Sequence, residues 1–130
     1  MDDAAIISTV RQHFAQRAQN VVAAYVFGSV GRGSSQPLSD VDIAVLYATP
    51  PISAVSGPAS GTQAELEALL GRPVDLIILN DAPVDLVHRV LRDGEIVCET
   101  HRDARIDFEV DARRRYLDLS PVLRRYRASA

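Results

Sequence analysis

The sequence predicts an α/β (α+β) fold, a small mixed β-sheet flanked by helices with a helical tail at its C-terminal end. Three observations carry that expectation. Apolar, β-branched runs at Val21–Phe27, Ile43–Leu46 and Val74–Leu79 have the length of buried strands, not of helices. Segments with apolar residues near the 3.6-residue repeat lie between and around them. Turn residues, Gly28, Gly71 and Gly94 among them, fall where one kind of segment gives way to the other.

In chain order, Asp2 to Gln19 predicts an amphipathic helix, with Ile6, Ile7, Val10, Phe14 and Ala18 on its apolar stripe and Asp2 and Asp3 at its positive end. His13 lies beside that stripe and is expected half-exposed. Val21–Phe27 predicts a strand that stops at the turn Gly28-Ser29-Val30-Gly31-Arg32-Gly33. A second strand then opens with Ser39-Asp40-Val41-Asp42. Because strand side chains alternate, Asp40 and Asp42 are expected on one face, with Val41 turned into the core.

Two adjacent carboxylates repel at neutral pH unless one is protonated or a cation sits between them. A hard divalent ion such as Mg²⁺ takes oxygen ligands, often one or two carboxylates together with substrate phosphates. The glycine-serine turn suits the phosphate side: Gly28 permits close backbone approach, Ser29 and neighbouring N–H groups can donate, and a helix starting there would add its positive end. Arg32 offers a rigid fork of donors to the same phosphates.

Residues 48–61, rich in Pro, Gly and Ser, predict a loop, either a plain connector or a lid over the carboxylates. Thr62 to Leu70 predicts a short helix, with Thr62 and Glu65 spaced as a capping box and Gly71 as its stop. The strand after Arg72-Pro73 carries one acid, Asp75, which needs a partner because desolvating a lone charge is costly; Arg72 and Arg89 are candidates. Asn80-Asp81-Ala82-Pro83 predicts a cap with proline at the first helical position, and Val84, Val87, Val90 and Leu91 a helical stripe ending at Gly94. His88 is expected on the surface. Glu95–Cys98 predicts a last short strand, in which Cys98 is a small core residue. His101 to Leu119 reads as a long polar helix that Ser120-Pro121 stops, with Val122 to Arg127 a separate short helix.

Length and composition agree with one domain. The 130 residues are 47% apolar and 24% charged, without an apolar run long enough to span a membrane or a secretory leader, and with a single cysteine. A cytoplasmic location is the expectation. Every basic residue is arginine. Residues 1–100 hold 6 Arg against 12 acids, and residues 101–130 hold 8 against 5. An acidic body argues against general nucleic-acid binding. The arginine runs 113–115 and 124–125 are either a solvated face or a docking surface for an acidic partner.

Gly28-Ser29 followed by Asp40-x-Asp42 resembles the signature of the DNA polymerase β-like nucleotidyltransferase superfamily. The short forms Phe-Gly-Ser-Val-Gly-Arg-Gly and Ser-Asp-Val-Asp-Ile-Ala-Val resemble its minimal nucleotidyltransferase (MNT) group, over roughly residues 5 to 100. Gly31 departs from the pattern, where Ala is more usual. The resemblance implies the polymerase β-like fold, with a catalytic domain at 1–100 and an arginine-rich extension of it at 101–130. It implies a third carboxylate from a neighbouring strand, and Asp75 is the position that matches. Asp40, Asp42 and Asp75 would then hold two Mg²⁺ ions, and Gly28, Ser29, Arg32 and Ser39 would bind ATP as the substrate. Many members of the minimal group are antitoxins encoded beside a HEPN-type ribonuclease toxin, which they neutralise by adding AMP to a tyrosine. The implied partner is thus a HEPN toxin in a hetero-oligomer. Two other readings stay open, an adenylyltransferase acting on a small molecule such as an aminoglycoside, and a non-catalytic antitoxin that masks its partner by binding.

Overall fold

A computed structural model describes residues 1–37, 39–51 and 58–129. Its elements are α1 (Asp3–Gln16), β1 (Val21–Phe27), α2 (Gly28–Gly31), β2 (Val41–Tyr47), α3 (Pro58–Leu70), β3 (Val74–Ile78), a 3₁₀ turn (Leu79–Asp81), α4 (Val84–Asp93), β4 (Glu95–Glu99) and α5 (Arg102–Ser129). The four strands form one mixed sheet in the order β3-β2-β1-β4. β1 pairs antiparallel with both β2 and β4, whereas β2 and β3 run parallel. A parallel pair needs a crossover, and α3 supplies it.

Both faces of the sheet are covered, so the strands read as continuous apolar runs. Val41, Ile43 and Val45 of β2 join the core beneath α1 and α3, packing with Ile6, Val10, Phe14 and Leu66. Ala44 and Leu46 face the other way, onto Val87 and Val90 of α4 and onto Ala104, Phe108 and Ala112 of α5. Every residue of β1, the strand between β2 and β4, is buried. On the α5 side, the Tyr25 hydroxyl donates to Glu109 at 2.9 Å, and Arg105 bridges Glu109 to Glu99. Burial, with Glu109 beside it, keeps the Tyr25 phenol protonated well above its ordinary range.

The helices depart from expectation in instructive ways. α1 is shorter than predicted, with Asp2 as its N-cap accepting from the Ala5 amide at 2.8 Å. His13 is buried, not half-exposed, because α3 lies across it. α3 begins at Pro58, which places Thr62 inside the helix and removes the capping box; Glu65 instead pairs with Arg17 at 2.9 Å. Gly71 does end α3, with φ at +65°. Pro83 occupies the N-cap of α4, not its first turn, and Asn80 uses its side chain to bond the Tyr47 amide and carbonyl. β3 ends at Ile78 and β4 spans Glu95–Glu99, close to expectation, and Cys98 packs against the core. His88 is not simply a surface residue, since its ring stacks on Tyr116 with centroids 3.6 Å apart.

The largest departure is α5, one continuous helix through Pro121 where a break was expected. A proline inside a helix costs about 3 kcal/mol through its missing N–H and a clash with the carbonyl four residues back. Nucleation is the expensive step, however, and the turns from Arg102 onward have already met it, so one lost bond weakens the helix without ending it. Of the expected 48–61 loop, residues 58–61 instead form the first turn of α3, and residues 52–57 lie outside the described residues, so the choice between connector and lid falls there.

Candidate active site

The parallel pairing of β2 and β3 sets Asp42 opposite Asp75 in register. Alternation then fixes the face. Neighbours Val41 and Ile43, and likewise Val74 and Leu76, point into the core under α1 and α3, so both acids project on the side of the sheet that carries α4. Asp40 precedes the first residue of β2 and is exposed, as is Asp75, while Asp42 is half-buried. Burial comes first in pushing the Asp42 carboxyl above its ordinary value, followed by the charges of Asp75 and Asp40; Arg32 and Arg89 oppose them. Among the described residues no three His, Cys, Asp or Glu side chains close up into a ready metal cage.

The turn after β1 abuts this cluster. Phe27 is in register with Asp42, and Gly28 follows at φ +66°. A Cβ at Gly28 would fall 2.1 Å from Asp42 Oδ2, so only glycine lets the bend lie against the carboxylate. α2 is a single turn of four residues with no side-chain cap, so local N–H groups and the Ser29 hydroxyl are its donors and a helix dipole adds little. Gly31, where Ala is more usual, is held to glycine by its surroundings. An added Cβ would meet the Val26 carbonyl oxygen at 2.7 Å, a steric demand made by the fold that residue spacing does not show. Arg32 is half exposed, with its guanidinium 3.6 Å from the Asp93 carboxylate, which steers it along the same edge.

The loop that delivers Asp40 is anchored twice. Ser35 donates from its amide and its hydroxyl to Asp3 at the start of α1. Arg72, buried, donates to the carbonyls of Ser39 and Gln36 at 2.8 to 3.0 Å. Arg72 is thus spent on the loop and does not pair with Asp75. The Ser39 hydroxyl accepts from the Gln36 amide at 3.0 Å, so this residue shapes the turn beside its expected place in nucleotide binding. Sequence reasoning missed Arg72 and Asp93 as organisers of the site, because neither lies near the motif in the chain. It considered Arg89 only as a partner for Asp75, whereas its charge acts on Asp42.

The carboxylates and the bend have the chemistry for divalent cation and phosphate: an all-oxygen set whose mutual repulsion a hard cation relieves, beside a cradle that a Cβ would fill. The polymerase beta nucleotidyltransferase family model matches residues 10–103, a span that contains all of these groups. The chain belongs to the polymerase beta nucleotidyltransferase family. No curated protein is a significant match in sequence. Solved structures of similar fold include a toxin–antitoxin complex with AMP-PNP, where the match has 24% identity, covers 95% of this chain and 96% of the other, and has a TM-score of 0.79. Another is a complex of tri-AMPylated HEPN toxin with MNT antitoxin from Shewanella oneidensis (21% identity, 98% and 97% coverage, TM-score 0.73). A third, a minimal nucleotidyltransferase, is 27% identical over 73% of this chain and 95% of its own, with a TM-score of 0.60. In this nucleotidyltransferase chain the matched span holds β1, the turn after it and β2 whole, and α5 lies almost wholly beyond it.

Proposed function

We propose that this chain transfers AMP from ATP to a hydroxyl of a partner protein, a tyrosine of a HEPN-type toxin, and so acts as its antitoxin. The observation that carries the chemistry is the in-register pair Asp42 and Asp75 with Gly28 packed against Asp42. The partner rests on similarity to toxin–antitoxin complexes, one holding AMP-PNP and one an AMPylated toxin.

In the transfer, the acceptor oxygen forms a bond to the α-phosphorus, the bond to the β-phosphate bridging oxygen breaks, and pyrophosphate leaves. Asp40, Asp42 and Asp75 would hold two Mg²⁺ ions. When bound, these offset charge on the attacking and leaving oxygens of an in-line displacement. The N–H groups and hydroxyl of Gly28-Ser29 bind the outer phosphates, and Arg32, steered by Asp93, reaches the same oxygens. Asp75, the more exposed of the strand acids, would help take the acceptor's proton. Positioning and charge supply the rate, and no covalent enzyme intermediate is needed.

The test is to incubate the protein with Mg²⁺ and α-labelled ATP, with and without the product of the adjacent gene. Label on that protein is the expected result. Label only on small hydroxylic compounds would move the reading to a small-molecule adenylyltransferase, and no label to a masking module. Asp40→Asn with Asp42→Asn should cut transfer by about 10³-fold or more while the fold survives.

A further inference from the structure

α5 outruns the body that it packs on. At 28 residues it extends about 42 Å. Its first half is seated by Ala104, Phe108 and Ala112, and the stacking of Tyr116 on His88 marks the end of that seat. Beyond Tyr116 every described side chain is exposed: Leu117 at 71%, Leu119 at 41%, Val122 at 58% and Tyr126 at 75%. Leu119, Val122 and Tyr126 recur at i, i+3 and i+7, so they form one stripe along one side of the helix. A helical end of this length with a proline in it is marginal when only water surrounds it.

The surrounding charge says what kind of surface would cover the stripe. Residues 113–127 carry six arginines against one aspartate. Stacking this arm on the same arm of a second copy would juxtapose like charges, which disfavours that pairing. Arginine and tyrosine around an apolar stripe are also the residue types that dominate binding energy at interfaces.

The geometry points to the distal half of α5 as a docking arm whose Leu119, Val122 and Tyr126 stripe enters an apolar groove, rimmed by Asp and Glu, on the partner protein that receives the AMP. The arm adds an acceptor-holding surface to the catalytic core. This inference rests on the partner reading above and adds where the partner is held. It follows the helix-in-groove mode, in which anchors spaced along one helical face give affinity and rim charges give rate and register.

The probe is a purified HEPN-type protein, the product of the adjacent gene where that gene encodes one, titrated calorimetrically with the chain at low and high salt. Val122→Glu with Tyr126→Glu should weaken binding at least about tenfold. Arg114→Glu with Arg125→Glu should weaken it most at low salt and flatten the salt dependence. Melting of the free variants should match the parent, which separates lost docking from lost folding. Equal affinity of the parent and both variants overturns the proposal, as does a parent chain that does not bind. Sedimentation showing that the stripe variants dissociate a homodimer overturns it in favour of a second copy. The labelling assay on the same samples keeps the two claims apart. Arm-dependent binding without transfer sinks the chemistry and leaves the docking, whereas transfer by the arm variants with unchanged KM sinks the docking and leaves the chemistry.

Discussion

At Gly28 the backbone is left-handed, and an added methyl would overlap the Asp42 carboxylate. Gly28→Ala should therefore lower stability by about 2 kcal/mol or more, read by urea titration, and abolish nucleotide binding. An unchanged midpoint would mean that the bend does not press on Asp42. His13 makes a second residue-scale case. Its Nε2 is buried with no hydrogen-bond partner, 3.8 Å from Glu65. Burial lowers its proton affinity, with Arg17 acting the same way and Glu65 opposing. As pH falls below the ordinary value of 6.5, the unfolded chain takes up a proton before the folded one, so stability declines. His13→Leu should remove that decline, and its melting temperature should exceed the parent's by more at pH 5.5 than at pH 8. Parallel profiles for the two proteins would contradict this. The acids and the glycine-serine bend were legible in the chain because their spacing repeats a chemical requirement. The burial of His13 was not, since it depends on α3, a neighbour set by tertiary packing.

Among the elements, the segment between the glycine-serine bend and the carboxylates is held at Gln36 and Ser39 by Arg72. Arg72→Met keeps the stem but strips three charge-assisted donors from two carbonyls. We expect a loss of about 2 to 3 kcal/mol and faster amide exchange confined to residues 34–41. Exchange that rises evenly across the sheet would instead mark Arg72 as a general packing residue. Strand limits were readable to within a residue or two because β-branched runs flanked by glycine or proline leave few alternatives. Helix limits were less so. Pro121 and Thr62 carry strong local preferences that the surrounding turns override, and a preference of one residue cannot outweigh a helix already nucleated.

Across the molecule, acids gather on the body and arginines on the arm, and the body's least comfortable charge is Asp42. Folding raises its proton affinity, so between the unfolded value of 3.8 and its higher folded value stability falls as pH rises. Without divalent ions, Asp42→Asn should melt a few degrees above the parent at pH 7, with the difference closing below about pH 3.8. Added Mg²⁺ should then raise the parent's midpoint and leave the variant's unchanged, as scanning calorimetry can show; an equal response in both would remove Asp42 from the metal site. The fold class followed from the order of strands and helices, but the seam between sheet and tail did not, because α5 shows no clean apolar period. That seam matters for anyone trimming the gene. The family match stops at residue 103, yet Ala104, Phe108 and Ala112 cover one side of the sheet and Glu109 holds the Tyr25 hydroxyl. A fragment cut at the match boundary would uncover a greasy plane with a stranded phenol in it, and should be recovered as an insoluble pellet instead of a smaller working enzyme.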